Sequence, residues 1–270
     1  MNPNKIKIFI ISYNRFIYLK KLVDFLILRE NSEIIIVDNN STYPPLIKYL
    51  ESLPLRVIRM KENIGHLVVW KCGLFDDILN NEYYIVSDSD VLPDSNTPND
   101  FINHFYEILQ RYPNITKVGF GLRIDDIPDF YGFKKKVIEW EKHYWEKEIE
   151  PNVYECEIDT TFAMYRPGIY PDKKEWWFSL RTGFPYVSQH LTWYEDSLNI
   201  SEENKFYQLS LNQFSSEWSI TDISLLKEEN TMLKKRIKEV EEANNKLISS
   251  NLYKKLVLII NIINYFKIKK

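Results

Sequence analysis

Glycine is scarce in this chain of 270 residues, occurring 7 times, and no G-x-G-x-x-G loop is present to seat the pyrophosphate of a nicotinamide dinucleotide. The glycine-rich phosphate loop that nucleotidyltransferases carry near the N-terminus is missing too. Cysteine is scarcer still. Cys72 and Cys156 lie far apart without metal-site spacing, which excludes a disulfide framework and fits a reducing cytoplasm. Neither sign of charge dominates: 35 basic against 38 acidic residues give a net charge of -3, which leaves no nucleic-acid footprint. The opening MNPNKIKIFIIS has lysines within a short apolar stretch and no small-residue cleavage site, so it reads as a first strand rather than a signal peptide. What is abundant is core material, 44% hydrophobic and 15% aromatic, enough for one sizeable core with an appendage.

The stretch YYIVSDSDVLPD, residues 83–94, runs an apolar strand into Asp88, Asp90 and Asp94 with no lysine or arginine nearby in sequence. Carboxylates this close repel unless a cation or water screens them. Tyr83–Val86 lacks polar alternation, as a parallel strand covered on both faces does. Asp88 and Asp90 therefore fall at a strand's carboxyl end, where open α/β sheets bind ligands. Their hard oxygens suit Mg2+ or Mn2+ bound together with substrate phosphates.

Ahead of that stretch, strand and helix alternate. Strands are expected over 5–11, 33–37, 55–59 and 83–86, and helices over 16–28, 44–53 and 65–79, which implies right-handed crossovers and a doubly wound parallel sheet. Polar residues gather where each strand ends: Ser12-Tyr13-Asn14-Arg15, Asp38-Asn39-Asn40-Ser41, Asn63-Ile64-Gly65 and Asp88-Ser89-Asp90. All four clusters then share one edge. Asp38 is positioned there to accept hydrogen bonds from a base or ribose.

IFIISYNRFIYLKKLVDFL, EIIIVDNNST, KENIGHLVVWKCGLFD and YYIVSDSDV look like the successive N-terminal motifs of GT-A glycosyltransferases, most closely the inverting family 2 type. The resemblance implies an α/β GT-A fold, Rossmann-like with a mostly parallel sheet flanked by helices, and a nucleoside diphosphate sugar as donor. It also implies that Ser12, Tyr13 and Asp38 line the nucleoside pocket, with Asn63 and Gly65 beside it. Asp88 and Asp90 would hold Mn2+ or Mg2+ on the diphosphate. Asn14 and Ser89, inside the same clusters, are assigned to donor binding with them, and Lys71 is a phosphate candidate.

Past Asp94 the pattern loosens. A helix is expected over 100–112, a strand over 117–122, a charged helix over 138–149 and a strand over 157–165. Inverting transfer needs a carboxylate to take the acceptor proton. Candidates are Asp159, Glu195 and Asp196. The family usually sets its base in an acidic pair on a helix, which favours Glu195-Asp196. Its metal-completing histidine usually follows the base, however, and His190 precedes that pair. Asp159 keeps the order and is preferred, with Asp196 the alternative. His190 is the histidine best situated to join Asp88 and Asp90 at a metal. Trp176, Trp177, Trp193 and Tyr194 are either a sugar platform or core.

From about Ile223 a heptad appears, with Ile223, Asn230, Ile237 and Asn244 at a and Leu226, Leu233, Val240 and Leu247 at d. β-Branched a over Leu d, with Asn at alternate a positions, favours a parallel two-stranded coil over one long amphipathic helix folded onto its own domain. The final NLYKKLVLIINIINYFKIKK is too short and too broken by Asn261 and Asn264 to cross a bilayer, and its flanking lysines suit an anionic lipid surface. The expected organisation is a GT-A domain over 1–218 (nucleotide-sugar half 1–95, acceptor half 96–218), a homodimeric coil over 219–250 paired through 223–247, and a basic apolar membrane-surface helix over 251–270. The expected function is a metal-dependent, inverting hexosyl-type transfer to a glycan or lipid-linked acceptor in bacterial surface polysaccharide synthesis. It would take place in the cytoplasm, at the inner face of the cell membrane, without nucleic acid. The alternative is a catalytically degenerate nucleotide-sugar-binding scaffold that works through dimerisation and membrane recruitment.

Overall fold

The computed structural model describes residues 5–29, 32–211, 217–250 and 255, with backbone only over 217–230. The chain divides into two compact units, Met1–Ser216 and Glu217–Lys270.

In the first unit, β1 (Ile6–Ser12), β2 (Ser32–Asp38), β3 (Arg56–Arg59) and β4 (Tyr84–Asp88) pair in parallel in the order β3-β2-β1-β4. Period-two alternation divides their side chains between two cores. Ile8 and Ile10 meet Leu19, Leu22, Val23 and Leu26 of α1 (Phe16–Ile27) on one face, and Phe9 and Ile11 meet Val68, Trp70 and Phe75 on the other. The next helix, α2 (Pro44–Ser52), opens with proline at its first positions, where a missing N–H costs no bond. The single helix expected over 65–79 is instead two, α3 (Val68–Lys71) and α4 (Asp76–Asn81). Between them Gly73 adopts φ +69, a left-handed turn that ends the first.

Beyond come β5 (Val91–Pro93), α5 (Phe101–Arg111), β6 (Lys117–Leu122), α6 (Lys134–Glu141), β7 (Glu148–Glu150), β8 (Val153–Glu155), β9 (Ala163–Tyr165) and β10 (Ser179–His190). The full order is β3-β2-β1-β4-β9-β6-β10-β8-β7, with β5 on β10. Mixed pairing replaces a purely parallel sheet here: β9 runs antiparallel between β4 and β6, while β6 and β10 are parallel. The strand expected over 157–165 forms only at its end. Its first part is a loop crossing the sheet's edge, where Thr160 O accepts from Asp88 N at 3.1 Å. The helix expected over 138–149 stops at Glu141, tightens into a 3-10 turn over Lys142–Trp145 and becomes β7. Burial explains the change: Glu141 is paired with Arg181 at 2.9 Å inside the protein, and Trp145 lies on Gly121, where a Cβ would meet its ring at 2.5 Å. After a 3-10 turn over Leu191–Tyr194, α7 (Glu202–Leu209) begins at Ser201, whose side chain accepts from Asn204 N.

The second unit contains α8 (Glu217–Ser249). Leu233, Ile237, Val240 and Leu247, which occupy seam positions of the expected coil, are all more than half exposed along it. The lipid-surface helix expected over 251–270 lies outside the described residues apart from Lys255. No described helix is long and apolar enough to cross a membrane.

Candidate functional site

Strand register builds the site. Ser12 pairs with Asp38 and Ile11 with Asp88, so a hydroxyl and two carboxylates stand at the carboxyl ends of three adjacent strands. Asp38 is fully buried, and its Oδ2 accepts from Arg59 Nε at 3.0 Å and Ser41 N at 3.3 Å. Its Oδ1 has no hydrogen-bond partner, and neither does Ser12 Oγ. Buried polar atoms are nearly always paired, so two open ones at a ligand-binding edge mark unspent recognition capacity.

The loops around that edge are held by asparagines. Asn14, at φ +49, receives Thr42 N and Tyr43 N on its Oδ1 and donates Nδ2 to Ser210 Oγ at 2.9 Å. Asn63 Oδ1 accepts from Gly65 N at 2.9 Å, and Asn39 clamps the same turn, donating to Gly65 O and accepting from Ile64 N. Asn14 and Asn63, expected to touch a donor, spend these atoms on shaping the loops. Tyr13, expected to line a nucleoside pocket, gives its hydroxyl to Ser210 O at 2.8 Å. Lys71 is exposed in the last turn of α3.

At the acid pair, burial first and the charge of Asp90 second push the Asp88 carboxyl well above the usual carboxylate range, against a 2.5 Å hydrogen bond from Thr160 Oγ1. Ser89 between them is buried. Antiparallel pairing of β5 with β10 sets His190 opposite Val91, and His190 Nε2 comes 4.0 Å from Asp90 Oδ2. Burial lowers the imidazole's proton affinity and keeps it neutral at ordinary pH. Its Nδ1 meets Thr192 Oγ1 at 2.5 Å and its ring stacks on Trp193. Among the described residues, no three His, Cys, Asp or Glu side chains close on a common point.

The acids are less isolated than the sequence suggests. Arg15 Nη1 donates to Asp90 Oδ2 at 2.8 Å, and Arg123 Nη1 to Asp94 Oδ2 at 2.6 Å. Asp94 belongs to that second ion pair, away from the site. Sequence gave Arg15 no role, because its partner lies 75 positions on. Arg15 is roofed by α7: its guanidinium lies 3.9 Å from the Tyr207 ring centre. Glu203 fastens α7 by accepting from Phe16 N and Ile17 N at the start of α1. The sequence offered no signal for this strap beyond Ser201 and the two glutamates that follow it.

Of the candidate bases, Asp159 keeps a free, mostly exposed carboxylate, 3.9 Å from His66 Nε2 and next to the Thr160 that bonds Asp88. Arg166, seven residues on, does not pair with Asp159 but donates to Ile115 O, Tyr112 O and Tyr83 OH. Asp196 is exposed and accepts from Leu198 N, two residues on in its own turn. Glu195 is held by Asn204 Nδ2. Of the aromatic candidates, Trp176 is core at 1% exposure, Tyr194 donates to Asp126, and Trp193 flanks His190.

The family model described as Glycosyl transferase family 2 matches residues 7–172, more than half of the chain. Similar solved structures include the mannosyltransferase PcManGT from Pyrobaculum calidifontis in complex with GDP-Man and Mn2+, at 15% identity and TM-score 0.40 over 60% of this chain and 44% of that one. Another is glucosyl-3-phosphoglycerate synthase from Mycobacterium tuberculosis in complex with Mn2+ and UDP-glucose, at 14% identity and TM-score 0.37 over 60% of this chain and 56% of that one. The chain thus spans about half the length of these neighbours. No curated protein matches it.

Proposed function

The chain belongs to glycosyl transferase family 2, and from that premise we propose that it moves a hexosyl group from a nucleoside diphosphate donor to an acceptor hydroxyl, inverting the anomeric centre, with Mn2+ or Mg2+ bound. The observation that carries this reading is the pair of buried, unpartnered acceptors at the sheet edge, Asp38 Oδ1 and Ser12 Oγ. They suit the polar rim of a nucleoside. Next to them, burial first and the charge of Asp90 second raise the proton affinity of Asp88, a cost that a bound cation would offset, and Asp88 and Asp90, with His190 Nε2 4.0 Å from Asp90, would hold a hard divalent ion together with the donor's phosphates. When bound, that ion would supply charge neutralisation to the leaving diphosphate.

The protein's own part is positioning and proton transfer. Asp159, the free carboxylate beside this cluster, takes the acceptor hydroxyl's proton while that oxygen forms its bond to the anomeric carbon. The bond from carbon to diphosphate breaks and its electron pair leaves with the nucleotide. We assign the acceptor to a glycan or lipid-linked saccharide of bacterial surface polysaccharide, on the strength of the lysine-flanked apolar sequence 251–270. Homodimerisation is assigned to 223–247 on its heptad, whose apolar positions on α8 lack cover among the described residues.

Calorimetry with uridine, guanosine and thymidine diphosphates tests the reading directly: one of them binds with Mn2+, and binding weakens in EDTA. In Asp38→Asn, Arg59 claims the amide oxygen and turns the NH2 toward the ligand. Losing a charged hydrogen bond is worth about 1.5–3 kcal/mol, roughly a 10- to 150-fold weaker affinity. Equal affinity in the variant, or no binding of any of the three, defeats the reading.

A further inference from the structure

Arg15 is the one cation in contact with the acid pair among the described residues, and it holds the oxygen a divalent ion would need. Its Nη1 lies 2.8 Å from Asp90 Oδ2, the same atom that His190 Nε2 approaches. The pair is largely sheltered, with side-chain exposures of 11% for Arg15 and 17% for Asp90. Yet the guanidinium is under-used: Nε is buried with no partner. It is also supported independently of Asp90, stacked 3.9 Å from the Tyr207 ring and 5.2 Å from that of Tyr18. A planar fork resting on an aromatic face keeps its stacking when it slides within its plane, and its spare donors match a phosphate's oxygens.

Resting on the donor-binding reading above, we propose that Arg15 is a displaceable counter-ion: it neutralises Asp90 while the site is free, and passes to the donor's diphosphate when a divalent cation takes the acid pair. Two cations cannot share Asp90 Oδ2 at contact distance without strong repulsion. A diphosphate arriving with the metal supplies the new anionic partner within reach of the same stacked guanidinium. Tyr207 then acts as the platform for this transfer. Because Tyr207 sits on α7, which is fastened to the start of α1 through Glu203 and to the loop after β1 through Ser210, the strap is tied to the charge state of the acid pair.

The test uses the full chain, Mn2+ alone, the nucleoside selected by the wild type and its diphosphate. In Arg15→Met, whose side chain can still lie on Tyr207, Mn2+ alone binds on the order of tenfold tighter because its competitor is gone. The diphosphate-to-nucleoside affinity ratio with Mn2+ falls on the order of tenfold or more, while the nucleoside binds as in the wild type. These opposite movements separate displacement from a structural role. Weaker Mn2+ binding, or an unchanged ratio, overturns the proposal. If Arg15→Met does not fold, Arg15→Lys decides: it keeps the charge and loses the fork, so Mn2+ binding stays at the wild-type level and the ratio still drops. An unaltered ratio in that variant overturns the proposal too. Failure of the wild type to bind any nucleoside diphosphate would instead count against the donor-binding reading itself.

Discussion

Lys117 begins β6 with no exposed surface, and its Nζ forms no hydrogen bond. Burial pulls its pKa from 10.5 down to about 7, against the raising charges of Asp159 and Glu157, while Arg181 adds to the fall. A drop of that size corresponds to about 5 kcal/mol against keeping the charge in the fold. Its Nζ lies 3.7 Å from the Trp176 ring centre and 5.3 Å from that of Tyr165. Between pH 7 and 10.5 the unfolded lysine holds a proton that the folded one has released, so wild-type stability climbs with pH across that window and is flat below it. Lys117→Met fits the same aromatic box without a charge. It is expected to be more stable than the wild type by about 5 kcal/mol at pH 6, with the gap closing as pH approaches 10. Urea unfolding of both proteins at pH 6, 7.5 and 9.5 reads this out. A gap that does not change with pH, or a variant weaker than the wild type at pH 6, refutes the reasoning.

Glu203→Ala strips the acceptor from two backbone N–H groups at the start of α1, a loss of about 1–3 kcal/mol, and α7 loses its protection from hydrogen exchange across 202–209. Unchanged protection there would show that the latch does not hold the strap. Asp159→Asn is expected to cut turnover by roughly 10^2- to 10^4-fold while nucleoside diphosphate affinity stays the same. Asp196→Asn leaves turnover near the wild-type level, because Asp196 serves only its own turn, and a reversal of these two results would move the base to Asp196.

The first four strands and their helices were legible because their signals are local. The apolar run at Ile34–Val37, the helical spacing from Leu19 to Leu26 and the prolines opening α2 each encode one element, and alternation then fixes which ends share an edge. The later part of the sheet was not, because its structure depends on distant contacts. Trp145 needs the bare face of Gly121, and Glu141 needs Arg181, so a charged segment with helical spacing gave way to a 3-10 turn and a strand. The reading of the site divided in the same way. Asp38, Asp88, Asp90 and His190 stood out by residue type. Their partners Arg59, Arg15 and Thr160 did not, since an arginine's pairing 75 positions away leaves no trace in its neighbours.

The three residues of β9 bond to β4 on one side and β6 on the other, making one continuous sheet of the two halves. Among the described residues the strands before β9 and those after it therefore cannot swing apart without breaking that ladder. On the proposed reading, reactant entry and product escape would fall to the covering above a fixed floor. The segment carrying Tyr207, held by a single glutamate and a few hydrogen bonds rather than by a deep core, is the cheapest part of that covering to lift.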